Sequence, residues 1–233
     1  MRLVTRGARI AAWSVAAVVA VIHILTAGRY DFFRNELYFI VCGRHPALGY
    51  VDQAPLVPLI AALTQSGGHN LWLLRLPDIL VAVLTVPLTV AFAQLLGAST
   101  RGAWLAAIAA AGAALVTAMT ATLSTSTFEP LTFTAVAYFV TRAIVRKEPR
   151  ALWWAGIIAG LSFETRYGIL LWAAALVVGL ALAGPRSVFR SRDAWIALGL
   201  GILIALPNVA WQVANGLPFL ALVRNDSAGN LIG

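Results

Sequence analysis

Apolar residues run almost unbroken over 8–27, 73–96, 103–123, 131–144 and 194–213, and most charged residues lie in the stretches between them. A helix rises 1.5 Å per residue, so about 20 residues cross a hydrocarbon layer of about 30 Å. Backbone groups in lipid need partners within their own segment, so these runs are predicted as helices rather than open strands. Pro77 and Pro87 mark a turn into the second run and a kink within it. Two further apolar runs, ALWWAGIIAGLSF and YGILLWAAALVVGLALAG, lie within 151–184 and are separated by Glu164, Thr165 and Arg166. The first is short for a full crossing, so the pair reads as a broken helix whose charged tip is buried in protein or lines a wet cavity. The Gly156–Gly160 spacing within it reads as close helix packing. The expected fold class is an all-α polytopic membrane protein with about seven transmembrane helices in one domain over 1–233.

Composition agrees. Hydrophobic residues make up 61% of the chain and charged residues 11%, with a mean hydropathy of +0.85, which leaves too little polar surface to cover a water-soluble globule. The net charge of +8 comes from short clusters between the runs: Arg2, Arg6 and Arg9; Arg142, Arg146, Lys147 and Arg150; Arg186, Arg190 and Arg192. That distribution is the positive-inside pattern, with no basic stripe of stacking aromatics for nucleic acid. It places the N-terminus in the cytoplasm, the first run as a retained signal anchor and the 28–72 loop outside, in the periplasm or its equivalent. Cys42 is the sole cysteine, so no intrachain disulfide forms.

The 28–72 loop is long for a connection and is expected to hold structure of its own. Apolar residues at near-helical spacing over 32–40 predict an interfacial amphipathic helix, and 56–63 a second, shorter one. Between them HPALGYVDQAPLVP carries turn chemistry. On the same side fall Asp31, Glu36, Asp52, Glu129 and Glu164, with Arg29, Arg34, Arg44 and Arg166. Charges kept at a membrane edge mark a pathway or a site. His45 and His69 form no recognised ligand spacing and read as hydrogen-bonding loop residues.

FRNELYFIVCGRHPALGYVDQAPLVPLIA, LSTSTFEPLTF, WAGIIAGLSFETRYGI and LPNVAWQVANGLPFL, in that order, resemble the membrane glycosyltransferases of the dolichyl-phosphate-mannose protein mannosyltransferase type, on the bacterial branch akin to the aminoarabinose lipid A transferases. The resemblance spans roughly 20–225 and implies a GT-C-like bundle with its active site at the outer face. It implies transfer of a sugar from a polyprenyl-phosphate carrier to a lipid, glycan or protein acceptor. Such a reaction needs cations for the phosphate leaving group and a carboxylate for the acceptor's proton. Carried over by motif position, the acid pair of the first loop falls at Asn35 and Glu36, the next polar pair at Asp52 and Gln53, the second external acid at Glu129 and the phosphate-binding base at Arg166. Glu36 is the expected base, with Asp31 also catalytic and Asp52 in support. Arg166 with Arg34 or Arg44 forms the expected phosphate clamp, and Tyr50 and Tyr167 border the substrate. Glu36 and Asp52 could supply oxygen ligands to a divalent metal.

The chain departs from that family in four places. Asn35 stands where an Asp is usual, and a carboxamide takes no proton at neutral pH. Arg166 replaces the usual Lys of the broken helix, trading a point charge for a bidentate fork. Ala54 stands where a second Pro is common. Family members run to about twice this length, so the chain is expected to be the N-terminal part of a longer architecture. Asn35 keeps a second function open, a non-catalytic polyprenyl-phosphate binder or lipid carrier. A secondary transporter is disfavoured, because the acids lie in face loops and the 151–184 segment has no inverted partner.

Overall fold

The computed structural model describes residues 4–227, with the side chains of 226 and 227 left aside; Arg2 of the first basic cluster and the hydrophilic tail beyond 227 lie outside. Among the described residues every regular element is helical: α1 Arg6–Ala27, α2 Arg34–Gly43, α3 Leu56–Thr64, α4 Leu71–Leu95, α5 Thr100–Gly112, α6 Ala114–Met119, α7 Glu129–Val145, α8 Ala151–Phe163, α9 Gly168–Ala183, a 3₁₀ turn Arg186–Arg190, α10 Arg192–Ala214 and α11 Pro218–Ser227.

Among the described residues three helices, α1, α4 and α10, are long and apolar enough to cross a membrane. The chain is therefore a multi-pass membrane protein. The expected count of about seven spans is not met by single helices. The 103–123 run breaks at Ala113, whose extended backbone separates α5 from the short α6. α7 has 17 residues, and α8 and α9 have 13 and 16. Two local expectations also change. Pro77 lies inside α4 rather than at a turn, because that helix starts earlier, at Leu71, where the Asn70 side chain accepts the Leu73 N–H at 3.1 Å. The sequence carried no predicted element after the 194–213 run, and the chain forms α11 there.

Small side chains set the packing. Ala8, Ala12 and Ala16 of α1 meet Ala82, Val86 and Val90 of α4 and Ala103 and Ala107 of α5. A second core joins α7, α8 and α10 through Val136, Val140, Leu152, Ala155 and Ala197, and α4 lies against α7 to connect the two. In lipid there is little hydrophobic drive between helices, so close van der Waals approach carries association. Gly156 is that device: a Cβ there would collide with the Ala197 carbonyl, and Gly160 meets Gly201 in the same way. At the loop-bearing end, Phe39 and Ile40 of α2, Val57 and Ala61 of α3, Leu74 and Leu123 form a third core that seats the α2–α3 pair on α4. α9 buries only Ile169.

Candidate functional site

The loop-bearing end of the bundle is organised by a buried ion pair. Glu36 sits at the third position of α2, where its Oε2 accepts the Phe33 N–H at 2.8 Å and holds the start of the helix. The Arg75 guanidinium, from the second turn of α4, donates to both Glu36 oxygens at 2.8 and 2.7 Å. Its other donors go to the carbonyls of Ala27, Tyr30 (3.1 Å) and Asp31 (3.1 Å), and the Leu123 N–H also donates to Glu36 at 3.3 Å. Glu36 is 0% and Arg75 3% exposed, so the pair is sealed, and all five guanidinium donors are used. One ion pair thus ties the end of α1, the start of the long loop, α2, α4 and the segment after α6.

Sequence reasoning missed Arg75 and its neighbour Asp78, one turn further along α4. The signal was present, since ionisable residues inside an apolar span are costly and mark sites by default. Asp78 is 1% exposed, and neither carboxylate oxygen has a hydrogen-bond partner among the described residues.

Around this node lie the other loop residues. Asp31, Arg34 and Asn35 are exposed, and Asp31 accepts the neighbouring Phe32 N–H at 2.7 Å. Asp52 is exposed and accepts the Tyr38 hydroxyl at 2.8 Å; burial first, and then Asp52, raise the Tyr38 phenol above its ordinary range. Gln53 is buried and turned to the Cys42 sulfur at 3.7 Å. Tyr50 staples the loop: its hydroxyl lies 3.0 and 3.1 Å from the carbonyls of Cys42 and His45, and its own carbonyl accepts the Gln212 side chain of α10 at 2.9 Å. Arg44 lies at the far end of α2 and donates to His69 at 3.1 Å.

The α8–α9 corner gathers a second set. Arg166 pairs with Glu129 at 3.4 Å and stays 51% exposed, while Glu129 is the first residue of α7. The Glu129 carboxylate lies over the first turn of α9, where a Cβ on Gly168 would come within 2.6 Å of it. Tyr167 exchanges hydrogen bonds with Asn208 at 3.1–3.2 Å, takes one from Gln212 at 3.4 Å, and packs on Phe163 and Phe219. Burial raises the Tyr167 phenol, and Glu164 and Asp52 add to the rise. The Glu164 carbonyl accepts the Leu56 N–H at 2.9 Å, which joins the corner to α3. The Glu164 carboxyl is buried with an unpartnered oxygen, and burial pushes it up to about 7.

Beneath this corner runs an apolar groove of about 520 Å³ between α8, α9 and α10, and Phe163, Ile169 and Val209 line it next to Glu164, Gly168 and Asn208. Among the described residues no three of His, Cys, Asp and Glu gather to hold a metal, and Glu36 has both oxygens engaged. The residues present therefore do not fit the divalent metal considered for Glu36 and Asp52.

Residues 52–211 match the family model described as dolichyl-phosphate-mannose-protein mannosyltransferase. The chain belongs to that family. The match takes in Asp52, Glu129, Arg166 and Asn208. The chain is also 26% identical over 191 residues to a lipid A galacturonosyltransferase of Rhizobium johnstonii, a match covering 78% of this chain and 39% of that relative's length. No solved structure matches the chain.

Proposed function

We propose that this family member transfers a sugar from a polyprenyl-phosphate donor to a lipid, glycan or protein acceptor at the periplasmic face of a bacterial inner membrane. The observation that carries the reading is the apolar groove of about 520 Å³ whose lining residues Phe163 and Ile169 flank the half-exposed Arg166 along the chain. A prenyl chain suits the groove, and its phosphate suits a guanidinium at the mouth. Residues 1–233 act as one transmembrane domain, with α5 and α6 together making one crossing of about seven and α2 and α3 lying on the bilayer surface.

In this reading the acceptor hydroxyl attacks the anomeric carbon, and the bond from that carbon to the phosphate oxygen breaks. Polyprenyl phosphate leaves with its charge held by Arg166, and the configuration inverts. The acceptor proton passes to Asp52, an exposed carboxylate with a single side-chain partner in Tyr38. Glu36 is a positioning residue, because Arg75 and two backbone N–H groups occupy its oxygens. Asp31, Asn35 and Arg34 border the acceptor on the loop side. Glu129 orients Arg166, and Tyr50, Gln53 and Tyr167 hold the walls.

The exposed carboxamide of Asn35 favours a second reading, a polyprenyl-phosphate binder that releases no sugar. The deciding experiment incubates the purified protein with a synthetic polyprenyl-phosphate sugar and membrane lipid. A glycosylated product that disappears in Asp52→Asn supports transfer; donor binding without product, in wild type and variant alike, supports the binder.

A further inference from the structure

The transfer reading leaves Arg44 and His69 unused, yet they share a cavity of about 380 Å³ between the ends of α2 and α3. Its floor is apolar, formed by Ile40 and Ala61, and is tight because Gly43 brings the helices together: a Cβ there would lie 2.7 Å from the Pro58 carbonyl. Gly68, at φ +113, turns the chain so that His69 returns across the opening.

The polar lining is unbalanced. Both ends of the Gln65 amide are taken by the Asn70 backbone, at 2.8 and 2.9 Å, and the Ser66 hydroxyl donates to Leu63. Arg44 donates to His69 Nε2, so that ring carries its proton on Nδ1. The unspent donors are then the remaining Arg44 N–H groups, His69 Nδ1 and the second N–H of the Gln65 amide. No carboxylate lines the cavity, and Arg44 has no ion-pair partner among the described residues. A concave site with cationic donors and no anion is complementary to an anion.

The surroundings say where that anion comes from. Leu63, 76% exposed, follows the lining residue Ala62 on α3, and Val41, also exposed, follows the lining residue Ile40 on α2. Trp72, 49% exposed, lies in the first turn of the membrane-crossing α4, three residues beyond His69. Tryptophan at the end of a span marks the headgroup level, and exposed leucines there reach the acyl boundary. We propose that the Arg44–His69 cavity binds the phosphate of an anionic membrane lipid, at a site separate from the donor phosphate on Arg166.

The test is native mass spectrometry of the detergent-solubilised full chain titrated with phosphatidylglycerol, with phosphatidylcholine and with inorganic phosphate. The wild type should retain one phosphatidylglycerol more than Arg44→Gln/His69→Asn. Apparent affinity should fall by about tenfold in that variant, the size of one charge-assisted hydrogen bond. Arg44→Lys should keep the lipid, and Arg150→Gln, at the other basic cluster, should not lose this one. Equal retention in the double variant overturns the proposal. So does displacement by an equal concentration of inorganic phosphate, which would make the site one for soluble anions.

Discussion

Arg75 and Glu36 lie 39 positions apart and meet through two hydrogen bonds of 2.8 and 2.7 Å in a site that water does not reach. That pair gives the long loop a fixed origin. Removing one partner of a buried pair strands the other charge and costs about 3–5 kcal/mol. Arg75→Ala and Glu36→Ala should each destabilise the protein by about that amount in denaturant unfolding from detergent micelles. The double variant should lose much less than the sum, and strict additivity would show that the two residues do not act as a unit.

Asp52 and Arg166 separate chemistry from binding. Asp52→Asn should lower turnover by roughly 10²–10⁴-fold with little change in donor affinity, as expected for loss of a general base. Arg166→Ala should weaken donor binding, measured by titration with polyprenyl phosphate. Tyr38→Phe, which removes the hydroxyl donated to Asp52, should lower turnover while leaving donor affinity unchanged. Wild-type turnover in both Tyr38→Phe and Asp52→Asn would remove Asp52 from the reaction.

Glu164 should make stability depend on pH in a defined direction. Its ordinary value is 4.5, and burial at the α8–α9 corner raises it to about 7. The fold therefore favours the neutral carboxyl, so its contribution is complete below about pH 4.5 and is lost as the pH climbs through 7. Tyr167, three residues further along the corner, is the ionisable group that feels the Glu164 charge. Thermal unfolding between pH 5 and 8 should show a decline in the wild type that Glu164→Gln reduces. Parallel curves would mean that the carboxyl ionises freely in the fold.

Two glycines allow a matched test of helix contact. At Gly156 a Cβ meets the Ala197 backbone, whereas at Gly199 it meets open space. Gly156→Ala should cost about 1–3 kcal/mol through overpacking of α8 on α10. Gly199→Ala should be neutral or stabilising by up to about 1 kcal/mol, because alanine favours the helix. Equal effects in SDS unfolding would show that the α8–α10 approach is not set by Gly156.

Much of the architecture was legible along the chain, because hydropathy and helix length are properties of contiguous residues. α8 appears at 151–163 as expected, and α2 and α3 appear within the loop close to the predicted positions. The break between α8 and α9 falls at Glu164–Arg166, where three polar side chains interrupt apolar runs. The division of 103–123 into α5 and α6 was less visible, since Ala113 carries no breaker chemistry of its own.

What residue types are present at the loop-bearing face, and that the face is polar, followed from the sequence alone. Which carboxylate is free there was decided only by the tertiary structure. Glu36 and Asp52 look alike as letters in a loop, but α4 delivers Arg75 to one and leaves the other exposed beside Tyr38. The same holds for Arg44 and Arg166, two loop cations that folding sends to different ends of the site, one to His69 and one to Glu129. The reason is physical: helix formation is encoded in neighbours a few positions apart, whereas the protonation and pairing of a charge depend on side chains brought from tens of residues away.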